Sequence, residues 1–228
     1  MRRTVVCCLL LVATQAWTAF AGVGVSAKIG TLGPGVDLTV GLSSQFNARV
    51  GLNYFTYTYD DFDLGSDDNE NGGEPQDIGK ATAKLRLQTV AFLCDWHPWE
   101  NAFRLTAGAM LDNNKLEMTA EMDKSIDIND HEYRLSHFDG QVSFRNVAPY
   151  AGIGVGNAAS QNGHWHFAFD LGVLFTGAAE IDLSATASDP AIQQALDADL
   201  AAEKAKLEDD AEKFQLWPVL SFGLSYAF

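Results

Sequence analysis

Apolar and polar residues alternate with a period of two in eight separate segments, and that period marks strands with two unlike faces. The segments fall at about 23–31, 36–43, 46–59, 80–96, 102–118, 147–157, 164–176 and 215–228. In the first, Val23, Val25, Ala27 and Ile29 oppose Gly24, Ser26, Lys28 and Gly30. In the second, Val36, Leu38, Val40 and Leu42 oppose Asp37 and Thr39, and in the third Ala48, Val50, Leu52 and Tyr54 oppose Arg49, Gly51 and Asn53. The fourth sets Ala83, Leu85, Leu87, Ala91 and Leu93 against Lys84, Arg86 and Gln88. The fifth sets Phe103, Leu105, Ala107, Ala109 and Leu111 against Arg104, Thr106 and Asp112. Glycine fills the second face of the sixth, and Asp170 stands opposite Phe169, Leu171 and Val173 in the seventh.

The alternation leaves open which face meets solvent. A soluble barrel would bathe the second face, yet in the last segment that face carries no charge between Trp217 and Ala227. Water-facing strands carry Lys, Glu and Thr, partly to block edge pairing. The reverse assignment fits: aliphatic and aromatic side chains look out to hydrocarbon, and small, polar and sparse ionic ones look inward. An Arg or Lys on a lipid face near the midplane costs ~2–4 kcal/mol, and the apolar faces of these segments carry none. The fold predicted is all-β, an eight-stranded antiparallel up-and-down transmembrane β-barrel spanning 22–228.

The connections agree. Those near 43–46, 97–101 and 157–163 are short and fall at one end; those at about 60–79, 119–146 and 177–214 are long and fall at the other, with 32–35 the short outer loop. Short periplasmic turns and long outer loops are the usual asymmetry of such barrels. Trp96, Trp99, Phe103, Trp165, Tyr226 and Phe228 flank the short-turn end, where interfacial aromatic girdles belong. Residues 1–21 read as an export leader: Arg2 and Arg3, an apolar run from Val5 to Ala13, and the small-x-small site Ala19-Phe20-Ala21, giving a mature start at Gly22. Cleavage removes Cys7 and Cys8 and leaves Cys94 without an intramolecular partner. Loss of both arginines moves the formal charge from −15 to −17, which argues against nucleic acid as a partner.

The last strand carries a family resemblance. Leu220, Phe222, Leu224, Tyr226 and terminal Phe228 resemble the C-terminal signature of bacterial outer-membrane barrels, and the eight-strand plan resembles the small OmpA, OmpX and OmpW-type members. The Asp95-Trp96-His97-Pro98 turn and the Pro-Tyr-x-Gly-x-Gly strand from Pro149 to Gly154 resemble a further group of outer-membrane proteins. The resemblance implies the outer membrane of a Gram-negative cell as location. It implies outer-membrane lipid and, through those five terminal residues, the barrel-assembly machinery as partners.

Candidate chemistry is sparse. The loop after the third strand is acidic, with Asp60, Asp61, Asp63, Asp67, Asp68, Glu70, Glu74 and Asp77. Asp67-x-Asn69-x-Asn71-Gly72 matches the start of a calcium loop, but the twelfth position is Ile78 where a bidentate Glu is required, so a solvated acidic loop is the reading. Segment 189–213 has helical spacing at Ile192, Leu196, Leu200, Leu207 and Phe214, with Asp189 as N-cap and Pro190 at the first position. It is the helical segment of the last outer loop, a lid or arm. Lys28, Asp37, Arg49, Lys84, Arg86, Arg104, Asp112 and Asp170 are assigned to a polar lumen network. An eight-stranded barrel has an interior just wide enough for side chains, so the network reads as a plug; a narrow conduit is the alternative, and the basic excess would favour anions. His164 and His166 share a face without a third ligand. No nucleophile–base spacing implies an enzyme. No cofactor or metal is expected, and a closed barrel with no edge to pair is expected to be a monomer. The function read from the sequence is a structural or surface-interaction role through the outer loops, with a small-solute or apolar-ligand conduit as the alternative.

Overall fold

The computed structural model describes residues 22–63, 79–129, 131–160, 163–211 and 215–228. The leader with its cleavage site, and the acidic stretch from Asp67 to Asp77, lie outside the described residues. The strands are β1 (Gly22–Gly30), β2 (Gly35–Gly41), β3 (Phe46–Asp63), β4 (Gly79–Trp96), β5 (Phe103–Asp112), β6 (Lys115–Ile128), β7 (His131–Ser143), β8 (Val147–Val155), β9 (Trp165–Phe175), β10 (Glu180–Ala187) and β11 (Leu216–Ala227). A single 3-10 turn, Pro190–Ile192, leads into the helix α1 (Gln193–Ala211).

Eight strands close on themselves in the order β1-β2-β3-β4-β5-β8-β9-β11, and β11 returns to β1 with Val25 opposite Tyr226. All pairings are antiparallel, so the eight-stranded up-and-down barrel expected from the alternation is the observed fold. The remaining strands make an arm. β3 and β4 continue past the barrel mouth, and the upper part of β4 leaves β5 for β6, pairing Arg86 with Lys115 and Ala81 with Ala120. β7 pairs with β6, and β10 with β7. The sheet therefore forks at β4: its lower half belongs to the barrel wall and its upper half to the arm.

Three expectations change here. The fifth segment, read as 102–118, ends at Asp112 and restarts at Lys115, because Asp112-Asn113-Asn114 turns the chain across β4: Asn113 N donates to Gln88 O, and Gln88 N to Asn114 Oδ1. The connection 119–146 is a long β6–β7 hairpin, and 177–214 holds a strand as well as the helix. The fourth segment faces the opposite way over its lower half. Leu87, Ala91 and Leu93 are buried inside the barrel, and Phe92 and Trp96 face out. Both faces of that stretch are apolar, so periodicity alone did not separate them.

Elsewhere the faces are as read. Ile29, Leu38, Leu52, Leu105, Ile153, Leu171 and Phe222 are all exposed on the outer wall, with Phe167 at 85%. At the short-turn end the aromatics pack as a collar: Phe46 stacks on Trp96, Trp99 tilts on Phe103, and Tyr226 meets both Trp165 and Phe228 edge-on. Among the proposed assembly-signal residues, Leu220, Phe222, Leu224 and Phe228 are exposed on that outer side.

The arm is two-faced in the same way. Ala81, Ala120, Phe138 and Ala185 lie side by side across it, as do Ala83, Met118, Gly140 and Leu183. Helix α1 covers the far part of this apolar face: Leu196 and Leu200 are buried with Ala81, Tyr133, Leu135 and Ala187. The helix also shields the free edge of β10, where unpaired backbone groups would template association. Gln193 Oε1 accepts from Ala187 N at 2.9 Å while its Nε2 donates to Ala185 O at 3.0 Å, and Glu208 Oε1 accepts from Ile181 N. Asp189 accepts from Ala191 N and caps the first turn, with Pro190 at its start as the sequence indicated.

Candidate functional site

The lumen is filled in two layers. Nearer the short-turn end the filling is ionic. Arg49, at the centre, donates from Nη2 to Asp95 Oδ1 at 3.0 Å and from Nη1 to Asp170 Oδ2 at 3.2 Å, with Asp37 Oδ2 at 3.6 Å. Arg104 Nη2 donates to Asp170 Oδ1 at 2.8 Å, and its Nη1 to Gly156 O. Lys28 Nζ lies 2.6 Å from Asp37 Oδ1, and Thr106 Oγ1 donates to Asp95 Oδ1 at 2.6 Å. Three cations thus meet three carboxylates. Charge buried this deeply persists only when paired and hydrogen-bonded.

Toward the arm the filling becomes apolar: Leu32, Ala91, Leu93, Met110, Ala148, Tyr150, Leu174 and Val219 form one buried cluster. Tyr150 lies against glycine. A Cβ at Gly172 would meet its hydroxyl at 2.4 Å and Ala151 O at 2.7 Å, and a Cβ at Gly152 would meet the hydroxyl at 2.6 Å. The glycine face of β8 and β9 is therefore the floor on which the ring fits. Below the ions, the turn at 157–160 folds into the barrel end. Asn47 Nδ2 donates to Asn157 Oδ1 at 3.0 Å and lies 3.1 Å from His97 Nε2. His97 Nδ1 faces the carbonyls of Asn101 and Phe103, so its proton belongs there and Nε2 accepts. The voids left among these layers measure about 10 and 20 Å³, room for about one water each.

Of the residues assigned to the lumen from sequence, Lys28, Asp37, Arg49, Arg104 and Asp170 come together. Asp112 is buried at the mouth, apart from them, and accepts from Asn114 N. Lys84 and Arg86 do not join. They lie on the polar outer face of the arm, within 3.9 and 4.0 Å of Glu117 Oε2. Asp95 was missed, because its strand was read with the wrong face inward. The Asp95-Trp96-His97 sequence held the signal: a carboxylate and an imidazole two apart flank an aromatic, and the structure turns both inward while Trp96 joins the outer collar. His164 and His166 each hold a backbone carbonyl, Ala227 O and Gly163 O.

A second feature lies on the arm. Between α1 and the sheet runs a groove of about 510 Å³, lined by Met118, Ile126, Leu135, Phe138, Leu183 and Leu207 among others. At the hairpin tip Asp199 of α1 accepts from Tyr133 Oη at 2.5 Å and Asn129 Nδ2 at 3.0 Å, with His131 Nδ1 at 2.8 Å. The Tyr133 hydroxyl holds the Asp199 carboxyl below its ordinary range, with Asn129 adding to the effect.

The fold of the chain has counterparts among solved structures. It is similar to CarO of Acinetobacter baumannii. The crystal structure of CarO2 from that organism is 19% identical, with a TM-score of 0.58 over 92% of this chain and 100% of that one. That of CarO is 22% identical, with a TM-score of 0.56 over 91% and 98%. At such identity the likeness is one of fold. No family model and no curated protein matches the chain.

Proposed function

We propose that the protein is a non-enzymatic barrel of a bacterial outer membrane whose lumen is stoppered and which acts outside the membrane through its arm. The observation that carries this reading is the pairing of an outer wall of exposed Ile, Leu, Val and Phe with an interior that leaves voids of only about 10 and 20 Å³. A wall of that composition suits hydrocarbon, and the aromatic collar suits an interface. With the mature N-terminus periplasmic, the arm is external. The ionic layer supports the barrel and presents no net charge to attract a permeant ion. Planar-bilayer recording of the refolded chain tests this. The expected record shows no unitary steps above bare-lipid leakage, whereas reproducible steps would contradict the stoppered reading.

A second reading, capture of an apolar small molecule, is favoured by the arm groove. Its volume lies within the ~300–1,000 Å³ of small-molecule sites. Under that reading a solvatochromic apolar dye binds the refolded chain saturably and Leu207→Asp abolishes it. Unchanged binding in that variant would remove the groove from consideration.

A further inference from the structure

The fork where the arm leaves the barrel gathers basic side chains in a chain whose formal charge is −15. Two crossings run side by side there, 112–115 from β5 to β6 and 143–147 from β7 to β8. A notch of about 630 Å³ lies at this point, lined by Asn113, Asn114, Lys115, Arg145, Asn146 and Glu180 among others. Neither Lys115 nor Arg145 makes a side-chain hydrogen bond or ion pair among the described residues. Asn114 is 3% exposed, yet its Nδ2 donor has no partner among the described residues. Arg86 stands directly opposite Lys115, and Lys84 opposite Glu117. At the notch end of this face stand Lys84, Arg86, Lys115 and Arg145 with Glu117, Glu180 and Asp182, while Glu121 and Asp139 lie farther along it. Lys204 Nζ already holds Asp182 at 2.9 Å.

The position of the notch matters as much as its charge. Lys84, Arg86 and Gln88 share the side of β4 that carries Phe92 and Trp96 on the outer wall below. Leu111 and Val147, both exposed, end the wall beside the notch. A side chain here stands above the apolar belt and beside it, where a lipid whose tail lies against the wall places its headgroup. An unpaired ammonium, an unpaired guanidinium and a spare amide donor match the three acceptor oxygens of a phosphate monoester.

We propose that this notch binds the phosphate headgroup of a lipid in the leaflet around the arm, held by Lys115 and Arg145 with Asn114 donating and Arg86 and Lys84 supplying field. The proposal rests on the membrane reading above. It is tested with the full chain refolded into bilayers of phosphatidylcholine alone or with added phosphatidic acid, counting retained lipids by native mass spectrometry. The expected result is retention of phosphatidic acid over phosphatidylcholine by roughly tenfold or more, weakening with salt, since each basic residue near an anionic surface contributes substantially to binding. Lys115→Gln with Arg145→Gln brings the ratio near unity, and Lys204→Gln with Lys206→Gln on the helix leaves it. Insertion into phosphatidylcholine with no preference in the wild-type chain overturns the proposal and spares the membrane reading; failure to insert into either bilayer overturns both. Complete displacement by inorganic phosphate at equal concentration would make this a site for free phosphate and would overturn the lipid assignment. Should the double variant fail to insert, the wild-type ratio and its salt dependence decide the question unaided.

Discussion

At the scale of single residues, Arg49 holds the centre of the barrel interior. Its guanidinium touches carboxylates from three other strands, Asp37, Asp95 and Asp170, and its replacement leaves those three carboxylates with two cations, Lys28 and Arg104, in an interior with room for about one water per void. Breaking a buried ion pair from one side costs about 3–5 kcal/mol. Arg49→Met is therefore expected to lower barrel stability by about that amount in a urea titration of folded and unfolded bands. A loss under about 1 kcal/mol would mean the network is better hydrated than its voids suggest. Gly172→Val is expected to act from the other layer, since its Cβ would meet both the Tyr150 hydroxyl and Ala151 O. The same titration should show destabilisation, with Tyr150→Ala in the Gly172→Val background partly restoring the barrel. Asp95 shows what sequence reading could not see at this scale. A carboxylate between Cys94 and Trp96 has only His97 as a polar neighbour at two-residue spacing, and its partners Arg49 and Arg104 are 46 and 9 residues away on other strands.

At the scale of elements, the helix and the arm stand or fall together. Leu196 and Leu200 supply its buried contacts, and truncating a buried leucine costs about 2–5 kcal/mol. Leu196→Ala should raise hydrogen exchange in α1 and β10 while leaving β1 and β11 protected. Acid should loosen the same contact. Because Asp199 titrates below its ordinary value when docked on Tyr133 and Asn129, its contribution is fully present above the ordinary carboxylate range. It fades as pH falls through the lower docked value. Exchange at the hairpin tip is expected to rise over that interval in the wild-type chain and to be insensitive to it in Asp199→Asn. The arm was the part least legible beforehand. Lys115, Glu117 and Glu121 alternate with Leu116, Met118 and Ala120 in β6, and Asp182 and Ser184 with Leu183 and Ala185 in β10. That is strand periodicity, but with charges on the second face, as in sheets that meet water. A search for lipid-facing strands takes such stretches for loops. The barrel strands other than β4 were legible because their outer faces carry no ions, whereas the outer side of β4 continues upward into Lys84 and Arg86; α1 was legible because its cap and leucine spacing are local signals.

At the scale of the whole molecule, two sheets share one strand pair and have opposite relations to solvent. In the barrel the apolar face of each strand looks out and the polar face in; in the arm the apolar face turns beneath a helix and the polar face is open. β3 and β4 pass from one regime to the other without a break, and under the proposed membrane reading the fork beside Gln88 is where the surroundings change from lipid to water. Everything inferred about function depends on that boundary. The most direct test places a nitroxide at Leu171→Cys in a Cys94→Ala background and measures its collisions in bilayers with oxygen, which concentrates in hydrocarbon, and with a water-soluble nickel chelate. High oxygen and negligible nickel accessibility are predicted at this site. Dominant nickel collisions, with the barrel folded, would show that the apolar wall does not face lipid.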